Sequence, residues 1–293
     1  MKNTKNIVIN IKGGFGNQIF QFAFAKKLES QGFNVYVDTR FYNQFLGQEF
    51  TDTYRQQIIS ETIFGFTNIN DYFSKFLEIN EKIGNSNKLK TIYKNFENPL
   101  YKKLKDSDFN YDLLNRKFIR LDGYWQNIQN ILDQKEFITN SLRKISVLKE
   151  SFDRVPEKNS TMLIVRRGDY IKMNENLDID FYKECIGFIN DKISNNFKLN
   201  IFTDDVNWVK ENKLFKNANE IFGPEDNPVG VLSLFSKMIE HQHFIVCNST
   251  FSLLAALLNE QKESYVLVAD PWFRNKEKNL MYKDNWVKIQ NNS

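Results

Sequence analysis

Apolar residues in this chain gather into short runs, and each run stops abruptly at glycine, at charge or at small polar residues. Ile7 to Ile11, interrupted only by Asn10, ends at Lys12-Gly13-Gly14; Met162 to Val165 ends at Arg166-Arg167; Leu199 to Phe202 ends at Thr203-Asp204-Asp205; Phe244 to Cys247 ends at Asn248-Ser249. Continuous runs of this kind are expected of strands covered on both faces of a parallel sheet. Between them apolar positions recur at helical spacing. Ile19, Phe20, Ala23, Phe24 and Leu28 predict a helix from about Asn17, with Gly32 as its stop before a second strand at Asn34 to Asp38. Helices are also predicted from Asp180 to Lys192, from Pro228 to Met238 and through Leu253 to Leu258. Strand then helix is the period in both halves, which makes the chain α/β.

The stretch from Phe41 to Ser151 is different. It is rich in Asn, Lys, Tyr and Phe, lacks long apolar runs, and reads mostly as helix and loop. Spaced apolar positions predict amphipathic helices over Ile69 to Ile83 and Ile128 to Leu148, with a short strand inside Asn115 to Tyr124. A polar stretch holding Pro156 comes before the Met162 run and marks the expected boundary, giving an N-terminal domain over 1–155 and a C-terminal domain over 156–293. A chain of 293 residues is long enough for two cores.

Composition narrows the classes. With 41% hydrophobic and 26% charged residues the chain reads as globular. The net charge of +4 comes from dispersed Lys without a basic block, which argues against nucleic acid and suits a mildly anionic ligand or a membrane surface. Cys185 and Cys247 form no CxxC pair, the apolar run behind Lys2 and Lys5 is too short for a signal peptide core, and nothing approaches the roughly 18 apolar residues of a membrane span. The expected location is the cytoplasm, with at most peripheral contact at the inner membrane.

Candidate chemistry sits where the runs end. Arg166 and Arg167 close an apolar strand, the place where open α/β folds bind ligands, and a guanidinium fork can grip a diphosphate. Consecutive strand side chains face opposite ways, so one arginine should face the ligand and the other pair with Asp169; Gly168 would permit the turn. The plainer reading is a surface turn with a local ion pair. Gly13-Gly14-Phe15-Gly16-Asn17 opens a helix N-terminus to an anion or a sugar hydroxyl, although its spacing fits neither the P-loop nor the dinucleotide fingerprint, and the glycines could serve conformation alone. Asp204 and Asp205 could accept bonds from ribose or guanine, or Asp205 could cap the helix carrying Trp208. Ser249, Thr250 and Ser252 could join first-turn amides in an anion pocket, or form an ordinary N-cap. Tyr124-Trp125 could be a sugar platform or core. His241 and His243 lack a third ligand for zinc, and Asp-Asp is a poor match to a metal-holding Asp-x-Asp pair, so no metal site is expected.

These blocks together resemble the α-1,2-fucosyltransferases that use GDP-fucose, bacterial members above all. Gly13-Gly14-Phe15-Gly16-Asn17-Gln18 is similar to the family's Gly-Gly-Leu-Gly-Asn-Gln opening and Arg166-Arg167-Gly168-Asp169 to its His-x-Arg-Arg-x-Asp motif. Phe202-Thr203-Asp204-Asp205 resembles Phe-Ser-Asp-Asp, and Asn248-Ser249-Thr250-Phe251-Ser252 matches Asn-Ser-Thr-Phe-Ser; Pro271-Trp272-Phe273 and Trp286 also fit. Two positions depart: Ile164 stands at the family's His, and Leu253-Leu254 at its paired tryptophans.

The resemblance implies a GT-B-like fold, two Rossmann-like domains facing across a cleft, with metal-independent inverting transfer of fucose from GDP-fucose to a galactoside hydroxyl. The N-terminal domain would be the acceptor side. Arg166, Arg167 and Asp169 would be catalytic, with Arg166 on the diphosphate; Gly14, Gly16, Asn17, Gln18, Asp204 near the guanine, Asp205, Asn248, Ser249, Thr250, Phe251 and Ser252 would bind the donor. No cofactor is implied beyond the GDP-sugar substrate, and the acceptor would be a galactose-containing glycan or lipid-linked oligosaccharide of O-antigen or capsule type. Asp169 is a candidate base and equally a candidate orienter of the arginines.

Overall fold

The structure, a computed structural model, describes residues 5–42, 56–69, 71–86, 100–193, 197–224, 228–274 and 281–291. The chain forms two compact units, the first ending at Gln126 and the second beginning at Asn127. Each is an α/β unit built on a parallel sheet, as the run pattern predicts.

The first unit contains β1 (Asn6–Asn10), β2 (Asn34–Asp38), β3 (Thr67–Asn68), β4 (Tyr101–Lys105) and β5 (Phe118–Asp122), in the order β3-β2-β1-β5-β4 with every pairing parallel. Helix α1 (Phe15–Ser30) is apolar nearly all round, and its Phe15, Ile19, Phe20, Phe22, Ala23, Phe24 and Leu28 are buried. Phe22 stacks on Phe64 at 4.4 Å. Gly32 follows the helix at φ +90°, a left-handed stop as the sequence predicts. Helix α2 (Asp71–Gly84) sets Leu77 against Val8, Ile69 and Tyr101 on one sheet face.

β4 is absent from the sequence reading. Three lysines in Tyr-Lys-Lys-Leu-Lys hide a strand whose Tyr101 and Leu104 are buried, and lysine is suited to it because β4 lies at the sheet's edge.

The second unit contains β6 (Glu157–Val165), β7 (Lys198–Thr203), β8 (Glu220–Phe222), β9 (His241–Val246), β10 (Val266–Asp270) and β11 (Val287–Gln290), ordered β11-β10-β9-β6-β7-β8 and again parallel throughout. The expected boundary at 155/156 moves upstream to 126/127. The helix Ser146–Asp153 packs against the helix Pro228–Ile239 of the second unit, and the polar stretch around Pro156 leads into β6, whose Glu157 pairs with His241. The single helix expected from Ile128 to Leu148 is three: Ile128–Asp133, Lys135–Leu142 and Ser146–Asp153. Gln134 (φ −115°, ψ 16°) and Ile145 (φ −95°, ψ 119°) leave helical geometry between them.

Each sheet is wound outward in two directions from its first strand. β1 has β2 on one side and β5 on the other; β6 has β7 on one side and β9 on the other. The crevice beyond the carboxyl ends at such a reversal is where open α/β sheets bind ligands, because loops there diverge to opposite faces. The residues that follow β1 and β5, and those that follow β6 and β9, therefore stand at these reversals.

Candidate functional site

In the second unit β6 delivers Arg166 to the carboxyl end of the sheet. Its Nη2 donates to Asp169 Oδ1 at 2.8 Å, its Nη1 lies 3.3 Å from Asp204 Oδ2, and its guanidinium stands 5.1 Å from the Tyr170 ring centroid. Its Nε is buried without a partner. Burial works against the charge, yet Tyr170, Asp204 and Asp169 outweigh it and raise the pKa above the ordinary arginine value, so Arg166 is a permanent cation. Arg167 is held separately. Its backbone N–H donates to Asp204 Oδ1 at 2.8 Å, its Nε donates to Asp205 Oδ2 at 3.1 Å, and its guanidinium lies 4.1 Å above the Trp208 ring.

This corrects the expected division between the arginines. Arg166 itself pairs with Asp169, and Arg167 pairs with Asp205. Strand alternation does not reach Arg167, because the chain turns there (φ −131°, ψ −50°) into the helix Gly168–Lys172, which brings Asp169 one turn on from Arg166. Asp205 does two things at once: it grips Arg167 and accepts the Trp208 N–H at 3.1 Å as the cap of the helix Val206–Glu211. Gly168 matters for proximity, since a Cβ there would sit 3.2 Å from Asp204 Oδ2.

Two residues beyond the end of β9 lies Asn248, which is buried. Its Nδ2 donates to the Glu175 carbonyl at 2.7 Å, its carbonyl accepts the Tyr170 hydroxyl at 2.9 Å, and its Oδ1 is buried without a partner. Tyr170 thus joins the Arg166 loop to the Asn248 turn. Ser249 is the N-cap residue of the helix Thr250–Asn259 but makes no side-chain cap bond. Thr250 and Phe251 are half-buried at the helix start. Ser252 is fully buried and its hydroxyl donates to the Ser249 carbonyl at 3.1 Å, so its expected contact with a ligand is corrected to an internal one. Leu253 and Leu254 are fully buried, which explains apolar residues there as packing. Ile164 is 3% exposed and pairs in register with Phe202, so it lies inside the sheet layer and not on its open edge. Next to Arg166, burial pushes the Cys247 thiol up to about 12.

In the first unit the turn after β1 is stitched to the turn after β5. Lys12 N–H donates to Gln21 Oε1 at 3.0 Å, Gln21 Nε2 donates to the Gly123 carbonyl at 3.0 Å, and Lys12 Nζ lies 3.2 Å from Asp122. Gly13 has φ +77°, and a Cβ on it would meet Asn17 Nδ2 at 2.7 Å, so glycine is required there. Gly14 faces open space and Asn17 is half-buried, its Oδ1 accepting from Gln126 Nε2 at 2.8 Å. Gly16 is buried within α1.

Gln18 is a correction. It is fully buried; its Nε2 donates to the carbonyls of Gly13 (3.1 Å) and Gln56 (3.0 Å), and its Oε1 accepts the N–H groups of Ile58 (3.0 Å) and Ile59 (3.3 Å). Its amide clamps backbone and offers nothing to a ligand. Trp125 resolves as core: it is 5% exposed and stacks on Phe24 at 4.5 Å, leaving Tyr124 alone half-buried at the turn.

The histidines are structural. His241 hydrogen-bonds Asn200 Nδ2 and the Lys237 carbonyl, each at 2.9 Å, and His243 Nδ1 accepts the Tyr265 N–H at 3.0 Å. Among the described residues no group of three or more His, Cys, Asp or Glu is placed to hold a metal ion. Sequence reasoning missed Arg274, beyond β10, because it stands just outside the Pro271-Trp272-Phe273 block. Its Nη2 donates to the Asn176 carbonyl at 3.0 Å.

An α-1,2-colitosyltransferase of Escherichia coli is 28% identical to this chain over 300 residues, covering 97% of this chain and 99% of that protein. The Escherichia coli O-antigen biosynthesis glycosyltransferase WbnK is 26% identical over 176 residues, 58% of this chain and 57% of that one. Among solved structures, NodZ α-1,6-fucosyltransferase soaked with GDP-fucose superposes with a TM-score of 0.43 at 14% identity, covering 87% of this chain and 92% of that chain. The family model described as glycosyl transferase family 11 matches residues 6–290, nearly the whole length across both units, and the chain belongs to that family.

Proposed function

We propose that this glycosyltransferase moves L-fucose from GDP-fucose to a galactoside hydroxyl in α-1,2 linkage, with inversion and without a metal ion, in O-antigen or related surface polysaccharide synthesis. The observation that carries the reading is the permanent Arg166 cation at the strand reversal between β6 and β9, beside the helix start at Thr250. A diphosphate leaving group builds negative charge as the glycosidic bond breaks, and a fixed guanidinium at that point stabilises the charge without reorganising. Asp169 and Asp204 hold the fork in place. Both Asp204 oxygens are engaged with the arginine segment, so we assign it to bracing the arginines and not to reading guanine. The same reasoning makes Asp169 an orienting group.

A second reading, with GDP-colitose as donor, is favoured by the relative named as an α-1,2-colitosyltransferase. Use of a lipid-linked acceptor would bring the protein to the inner membrane as a peripheral partner; no helix among the described residues is long and apolar enough to cross a membrane.

Incubation with a panel of GDP-sugars and galactosides in excess chelator, with the product linkage read by NMR, tests the reading. An α-1,2-fucosylated galactoside supports it. Transfer from GDP-colitose alone selects the second reading, and transfer only after manganese or magnesium is restored contradicts the metal-free mechanism.

A further inference from the structure

The motif residues by themselves make a poor diphosphate site. Arg166 and Arg167 are set against Asp169, Asp204 and Asp205, two positive side chains against three negative, so the cluster has one negative charge in excess. A diphosphate brought to that edge would meet net repulsion unless a further cation lies close by.

Arg274 is the next guanidinium along the same edge. It follows β10, the strand beside β9, so the edge presents Arg274, then Asn248, then Arg166 at successive strand ends. The turn after the helix Gly168–Lys172 ties the three together. Glu175 accepts the Asn248 Nδ2 on its carbonyl at 2.7 Å and the Arg274 backbone N–H on its Oε2 at 3.2 Å, and the Asn176 carbonyl accepts Arg274 Nη2 at 3.0 Å. Asn248 in turn holds Tyr170, over which Arg166 lies.

Two features mark Arg274 as a candidate anion site. Among the described residues no carboxylate forms an ion pair with its guanidinium, because Glu175 engages the backbone amide instead. Its Nε is buried without a partner, as are Arg166 Nε and Asn248 Oδ1. An uncompensated, partly desolvated guanidinium is costly until an anion meets it.

We propose that Arg274 is a second diphosphate-binding residue, gripping the phosphates of the nucleotide sugar from the β10 side while Arg166 grips them from the β6 side, with the Asn248-Ser249 turn between. This rests on the nucleotide-sugar reading above and adds a residue to it.

Calorimetric titration of the full chain with GDP, inorganic pyrophosphate and guanosine tests the assignment in wild type, Arg274→Ala and Arg274→Lys. Expected is a loss of about tenfold or more in affinity for GDP and pyrophosphate in Arg274→Ala, partial recovery in Arg274→Lys, and unchanged affinity for guanosine. An unchanged GDP affinity, an equal loss for guanosine, or a wild type that does not bind pyrophosphate overturns it. If Arg274→Ala does not fold, Arg274→Lys decides alone: a GDP affinity equal to wild type with guanosine also unchanged counts against a bidentate grip. A wild type that binds GDP and pyrophosphate through Arg274 yet transfers no sugar leaves this inference standing and removes the proposed function.

Discussion

Gly168 and Asp204 approach each other so closely that a single methyl group on Gly168 would lie 3.2 Å from Asp204 Oδ2. Asp204 holds the Arg167 backbone and braces the Arg166 guanidinium, so the space beside Gly168 fixes where the arginine fork stands. Gly168→Ala is expected to displace that carboxylate by a few tenths of an ångström. Turnover should fall by about tenfold or more while thermal stability changes little, since a sub-ångström shift of a charge-stabilising group is felt mainly in the transition state. Steady-state kinetics beside a melting curve checks this; unchanged turnover in a folded variant counts against the bracing role.

Gln18 makes the opposite prediction. Its amide satisfies two carbonyls and two N–H groups in the first unit. Gln18→Leu leaves them buried and unmet, which should lower stability by on the order of 3 kcal/mol. Urea unfolding reads the loss, and the fraction that remains folded should keep its turnover. A large drop in turnover with stability intact would return Gln18 to the ligand.

Much of this architecture is legible in sequence for a physical reason. Strands buried on both faces must be apolar runs, and in a parallel sheet each run must stop where the ligand edge begins, so Arg166, Asp204 and Asn248 announce themselves by position. Side-chain partners are not legible in the same way. Gln18 and Asn17 stand in one motif, yet the first turns inward and the second stays at the surface, a difference set by the Gln56 to Ile59 segment far along the chain. Arg167 follows the last strand residue and no longer obeys strand alternation. β4 hides behind its lysines, and the boundary at Gln126 has no composition shift to mark it.

Acid should weaken the second unit before it affects carboxylates. Burial holds His241 and His243 below the ordinary value of 6.5. The unfolded chain takes up protons near that value while the folded chain resists, so the contribution of the neutral rings is fully present above it and is lost as pH falls below it. Unfolding free energy is expected to be level from pH 8 to 7 and to decline from there toward pH 5. A further decline follows below 3.8, where Asp38 resists protonation: burial favours its neutral form, but Arg40 and Arg120 hold its pKa down. Equal unfolding free energies at pH 7.5 and 5.5 would show that the histidines titrate normally.

The most direct measurement compares turnover of Arg166→Lys with Arg166→Ala. Lysine keeps the charge but not the planar fork that meets Asp169, Asp204 and an incoming diphosphate together. The account predicts that both variants fold, still bind guanosine, and lose about 100-fold in rate of transfer from the GDP-sugar, on the order of 3 kcal/mol of transition-state stabilisation. An Arg166→Lys enzyme that retains most of its turnover would contradict the assignment of Arg166 to the diphosphate, and with it the proposed mechanism.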